Sequence, residues 1–102
     1  MTRPDLLSKI DAGTAPVIVD VRTRREFQAG HVPGAINLPL HSLLLHPADL
    51  PVALDEPVVV YCGHGPRARM AAAMMRRAGF RRIDLLDGHM AGWREDGFRE
   101  ET

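Results

Sequence analysis

Cys62 is the only cysteine of the chain, and its neighbours are arranged for nucleophilic chemistry. The apolar run Val58-Val59-Val60-Tyr61 leads into it, and the glycine-rich segment Gly63-His64-Gly65-Pro66-Arg67 follows. A helical pattern then runs from Ala68 to Ala78. A strand that stops at a thiol, then a tight loop, then a helix start, makes an anion cradle in which backbone N–H groups turn inward. A thiolate at the base of such a cradle is stabilised, so its pKa should fall below the free value of about 8.5. Arg67 stands where the helix dipole disfavours a cation. It therefore needs an anionic partner, either a substrate anion or a carboxylate such as Asp20 or Glu26. His64 is either a spectator in the loop or a hydrogen-bonding partner of the thiolate or of its substrate, because imidazole titrates near neutrality.

Short elements must carry this loop. Asp5 to Ala12 reads as a helix after Pro4, with Leu6, Leu7 and Ile10 on one face. Val17-Ile18-Val19 is a buried strand ending at Asp20-Val21-Arg22. Arg24 to Ala29 is a short helix closed by Gly30, and Ala35 to Leu38 a short strand. Leu40 to Leu45 makes a helical turn or two. Val58 to Tyr61 is β-branched and bounded by Pro57 and Gly63, which predicts a strand. Ala68 to Ala78 is a helix with Gly79 as its C′ residue. Its apolar stripe, Met70, Ala71, Met74, Met75 and Ala78, is expected in the core. Ile83 to Leu86 is a final strand and Met90 to Arg94 a final helix, with Trp93 closing it on the sheet.

The strands are apolar throughout rather than alternating, and they alternate with helices. That pattern predicts an α/β fold with a mostly parallel central sheet and helices on both faces. Ligand sites in such sheets lie beyond the carboxyl ends of the strands. Cys62 and Asp20 both lie at such ends, so they are expected to be neighbours.

The chain has 102 residues, enough for one domain over 1–102. Thirteen Lys and Arg balance thirteen Asp and Glu, so global charge points to no nucleic acid and no acidic membrane surface. One cysteine makes no intrachain disulfide, which suits a reducing compartment. No segment reads as a membrane span or a signal peptide, and the leading Met1 fits an unprocessed chain. The expected location is cytoplasmic. His31, His41, His46 and His89 are scattered among turns without metal-ligand spacing, which argues against a metal site. No cofactor is expected.

The sequence resembles the rhodanese superfamily, and most closely its single-domain thiosulfate sulfurtransferases. Asp20-Val21-Arg22, Glu26-Phe27 and Gly30-His31-Val32-Pro33-Gly34-Ala35-Ile36-Asn37-Leu38-Pro39 are similar to that family's N-terminal signature. Tyr61-Cys62-x-x-Gly65-x-Arg67-Ala68 resembles its active-site loop. Gly79-Phe80, Leu86-x-Gly88 and Ala91-Gly92-Trp93 resemble its C-terminal signature. The motifs span about residues 17–93. One departure is Gly88-His89, where the family often has Gly-Gly; histidine tolerates positive φ better than most residues.

The resemblance implies a sulfurtransferase. Cys62 would take a sulfane sulfur from a small donor such as thiosulfate, becoming a persulfide, and pass it to cyanide in vitro, or to a thiol or a protein in the cell. Gly63, His64, Gly65, Pro66 and Arg67 would form the substrate loop, with Asp20 and Arg22 as supporting residues. A phosphatase or arsenate reductase on the same fold is disfavoured, because its loop has one residue more between cysteine and arginine. A sulfur-carrying or protein-binding module with little turnover on free thiosulfate is the main alternative.

Overall fold

Apolar β-branched runs punctuated by glycine and proline give four short strands, and the segments between them give five helices. The computed structural model describes residues 1–102. In chain order these are α1 (Arg3–Ala12), β1 (Val17–Asp20), α2 (Arg24–Ala29), β2 (Ile36–Asn37), α3 (Leu40–Leu45), β3 (Val58–Tyr61), α4 (Pro66–Arg77), β4 (Ile83–Leu85) and α5 (His89–Glu95). A 3-10 turn, Pro47–Asp49, follows α3. The sheet order is β2-β1-β3-β4, and every pairing is parallel. The expected mostly parallel sheet is thus wholly parallel.

The centre of the sheet is buried from both sides. All four residues of β3 are buried, as the unbroken Val-Val-Val-Tyr run requires. Successive side chains go to opposite faces. Val19, Val58, Val60 and Cys62 pack with Leu43, Ala68, Ala71, Ala72 and Met75 of α3 and α4. Ile18, Val59 and Tyr61 pack with Leu6, Met90 and Trp93 of α1 and α5. Trp93 is wholly buried, and its indole N–H donates to the Arg99 carbonyl at 2.9 Å.

Proline position explains two boundary shifts. Helix α1 starts at Arg3, before Pro4, and α4 starts at Pro66 rather than Ala68. Proline fits the first turn of a helix, where its missing N–H costs nothing. Pro66 and Arg67 therefore belong to the first turn of α4 and not to the loop. The stripe on α4 is also corrected. Ala68, Ala71, Ala72 and Met75 face the core, whereas Met70 is 53% exposed, Ala78 is exposed and Met74 is half-buried. The spacing of three and four from Ala68 selects the alanines, and Met70 falls on the opposite side. Strand β2 is shorter than expected, and α5 begins one residue early, at His89.

Candidate active site

Register places the expected neighbours together. Asp20 pairs with Tyr61 across β1 and β3, and the Val21 N–H donates to the Tyr61 carbonyl at 3.1 Å. Cys62 and Asp20 thus leave the same edge of the sheet side by side. The Asp20 carboxylate accepts from the Arg22 backbone N–H at 2.8 Å, from Arg22 Nε at 3.1 Å and from Arg22 Nη2 at 2.8 Å. Arg22 Nη2 also donates to the Gly30 carbonyl at 2.7 Å. Both side chains are buried. Burial works against the Arg22 charge, and the bond to Asp20 more than offsets it. Asp20 is therefore both the turn residue and the counter-ion that holds the β1–α2 corner. The Arg22 guanidinium lies 5.8 Å over the Tyr61 ring, and the Tyr61 hydroxyl accepts from the Val32 N–H at 3.1 Å.

The loop is shaped from behind. The first turn of α5 has free N–H groups, and two of them find loop carbonyls: Met90 N–H donates to Cys62 O at 2.9 Å, and Ala91 N–H to Gly63 O at 3.1 Å. With these carbonyls drawn toward α5, the loop can turn N–H groups toward the sulfur. The Gly65 N–H donates to Cys62 Sγ at 3.0 Å. Gly65 has φ 134°, a region that a side chain strains to enter.

Cys62 itself is wholly buried, where a reactive thiol open to capping or dimerisation would be exposed. Burial pushes its thiol up, but the His89 imidazole and the N–H groups of Ala68 and Gly65 outweigh it, and the pKa comes down from 9.0 to about 7. None of the surface depressions is lined by Cys62. One of about 240 Å³ lies beside the site and reaches Arg67.

Arg67 has its partner in the protein. Its Nη1 and Nη2 reach the two Glu26 oxygens at 2.6 and 3.1 Å, a bidentate pair from α4 to α2. Of the two carboxylates suggested by sequence, Glu26 makes this bond and Asp20 does not. The guanidinium passes 3.2 Å from where a Cβ on Gly63 would stand. Glu26 is also the capping-box residue of α2 with Thr23. The Arg67 bond, against the cost of burial and with help from Thr23, lowers its carboxyl from 4.5 to about 2.

The imidazole that meets Cys62 is His89. Its Nδ1 accepts from the Cys62 backbone N–H at 3.2 Å. A neutral imidazole accepting at Nδ1 carries its proton on Nε2. His64 is exposed and makes no side-chain hydrogen bond. His89 sits in the left-handed region at φ 55°, so the Gly88-His89 turn survives with histidine in it. Arg3 braces this turn from α1, donating to the Asp87 carbonyl at 3.1 Å and to Asp96 at 2.7 Å. Spacing along the chain separates His89 from Cys62 and gives no sign of their contact; the only local signal is a histidine where glycine is usual.

A match to the Rhodanese-like domain covers residues 2–96. The chain belongs to the rhodanese-like family. It is 39% identical over 80 residues to thiosulfate sulfurtransferase GlpE of Pseudomonas savastanoi pv. phaseolicola, covering 76% of this chain and 72% of that protein. It is 40% identical over 99 residues to the HTH-type transcriptional regulator Rv0324 of Mycobacterium tuberculosis. That match takes in 95% of this chain but 42% of the regulator, so the chain spans less than half of that relative. Among solved structures, the Alr3790 protein from Anabaena superposes with a TM-score of 0.88 at 27% identity, covering 100% of this chain and 91% of that one. This rhodanese-like chain has no helix long and apolar enough to cross a membrane.

Proposed function

We propose that the chain is a sulfurtransferase that carries sulfane sulfur on Cys62. The observation that carries this reading is the Cys62 thiol at the end of β3, with the Gly65 N–H donating to its Sγ at 3.0 Å. The donor is an anionic compound such as thiosulfate. The Cys62 thiolate attacks the outer sulfur, the donor S–S bond breaks, and sulfite leaves with the electron pair. The new S–S bond makes Cys62 a persulfide, whose terminal sulfur is held by the loop N–H groups. A nucleophile then takes that sulfur and returns the thiolate: cyanide in the assay, a thiol or a protein acceptor in the cell. Two half-reactions through one covalent intermediate give ping-pong kinetics.

Gly63, His64 and Gly65 form the loop wall in this reading, Pro66 and Arg67 its helical rim, and Asp20 and Arg22 its support. The phosphatase alternative needs the arginine that closes the cysteine loop to bind an oxyanion, and that residue, Arg67, is committed to Glu26.

The test is thiosulfate:cyanide sulfurtransferase activity of wild type beside Cys62→Ala, with intact mass after thiosulfate treatment. The expected result is turnover and one added sulfur in wild type, and neither in the variant. Absence of both in wild type removes thiosulfate as donor. A second reading, a sulfur carrier that hands its persulfide to one partner, is favoured by the complete burial of Cys62. A stable sulfur adduct without turnover would select it.

A further inference from the structure

Cys62 is wholly buried and lines no surface depression, so a molecule reaches the sulfur only if a wall of the site moves. The wall with the lightest hold on the loop is α5. It has seven residues and grips the loop by two main-chain bonds, from the N–H groups of Met90 and Ala91. Its other end is tied down by residues 97–102, which lie beyond the family match to residues 2–96. The indole N–H of the buried Trp93 donates to the Arg99 carbonyl at 2.9 Å, and Phe98 stands edge-on to the Trp93 ring with centroids 5.2 Å apart. Arg94 reaches the Glu100 carboxylate at 3.3 Å. The segment then crosses to the α2–β2 connection. His31 and Glu101 exchange two main-chain bonds, each 2.9 Å, and the Glu101 carboxylate accepts from the Gly34 N–H at 2.7 Å. A Cβ on Gly30 would collide with the Glu100 carboxylate, so the segment lies flat against that glycine. Arg99 pairs with Asp11 of α1.

We infer that residues 97–102 are a strap that detaches, and that its release loosens α5 from the Cys62 loop and admits molecules to the sulfur. The strap clamps α5 to α1 and to the α2–β2 connection, yet its own seat is weak. Residues 99–102 are exposed, and exposed ion pairs contribute little. Surface segments held in this way open locally at a fraction of the free energy of global unfolding. When the strap leaves, Trp93 loses the acceptor of its indole N–H, and α5 loses its link to His31 and Gly34. The loop feels this through main chain, because Met90 and Ala91 hold the Cys62 and Gly63 carbonyls. An exposed strip remote from the sulfur along the chain thereby sets access to it. The device concerns access alone and holds whichever compound Cys62 takes sulfur from.

The experiment compares the full wild-type chain with two variants changed only at exposed strap positions. Glu101→Pro removes both the N–H that bonds His31 and the carboxylate that bonds Gly34. Adding Arg99→Ala and Glu100→Ala removes the two ion pairs as well. The first readout is the rate at which Cys62 displaces iodide from iodoacetamide, followed by intact mass across the thiolate titration. The plateau of that rate reads access, and its midpoint reads the thiolate. The second readout is amide hydrogen exchange, at Met90 and Ala91 for the hold of α5 and at Val59 and Val60 for the core. The plateau is expected to rise about tenfold in the triple variant, the size of one net hydrogen bond removed from the closed state, and by less in Glu101→Pro. Met90 and Ala91 should exchange faster while Val59 and Val60 keep their protection.

An unchanged plateau in both variants would overturn the strap while leaving the sulfurtransferase reading intact. A rise accompanied by an equal loss of protection at Val59 and Val60 would also overturn it, since unfolding of the whole domain then exposes the thiol. Alkylation that responds to the strap, in a wild type that takes up no sulfur from thiosulfate, would uphold the strap and remove thiosulfate as donor.

Discussion

Two arginine–carboxylate pairs flank Cys62, and they differ in almost everything except their chemistry. Asp20–Arg22 spans two residues of chain, is all but sealed from water, and fixes the corner where β1 ends. Glu26–Arg67 joins two helices, with both side chains more than a third exposed. The first is a permanent fixture, because a lone charge at that depth is intolerable. The second is screened by water and is held mainly by its bidentate geometry and the capping box that orients Glu26. The site thus has a rigid wall on the β1 side and an adjustable one at the start of α4.

The sharpest way to break the comparison is to remove one carboxylate from each pair. Asp20→Ala leaves the buried Arg22 charge uncompensated and should cost about 3–5 kcal/mol, read from the urea midpoint. A loss below about 1 kcal/mol would mean that the two pairs are equivalent after all.

The next effect concerns the sulfur between the two walls. The rate of persulfide formation should rise with pH through about 7, as the thiolate forms. A folded pKa below the ordinary 9.0 gives stability that is present above 9.0 and lost as pH falls through about 7. His89→Gly should move the kinetic midpoint up by roughly one pH unit, about 1.4 kcal/mol of thiolate stabilisation. Thiolate absorbance near 240 nm, at about that wavelength, follows the same titration; an unmoved midpoint would remove His89 from the account of Cys62.

The smallest effect is expected at the exposed pair. Glu26→Gln should change stability by less than about 1 kcal/mol. Its signature lies in acid: Glu26 titrates at about 2 rather than 4.5, so its contribution is complete above 4.5 and fades as pH falls toward 2. The difference in stability between wild type and Glu26→Gln should shrink over that window, measured by denaturant unfolding at stepped pH.

The parts of the site that were legible in the sequence are those carried by local chemistry. Cys62 and its glycines sit in one short stretch, and Asp20 ends an apolar run, so strand and turn patterns were enough to pair them. Glu26 was visible as one of two possible partners for Arg67, and only packing of α2 against the loop chose between them. His89 was not legible. His89 reaches Cys62 through a left-handed turn whose direction no periodicity encodes. Met70 was misplaced because apolar character alone does not choose a helix face when alanines can fill the narrow gap against the sheet.

The two hydrogen bonds from α5 to the Cys62 and Gly63 carbonyls have a consequence for how this site can diversify. The cradle's shape is held by main chain on main chain, so the side chain at position 64 is spared from maintaining it. His64 faces solvent and bonds to nothing. Position 64 is a mutable rim on a fixed frame, where replacements can retune which molecule approaches the sulfur without rebuilding what holds it.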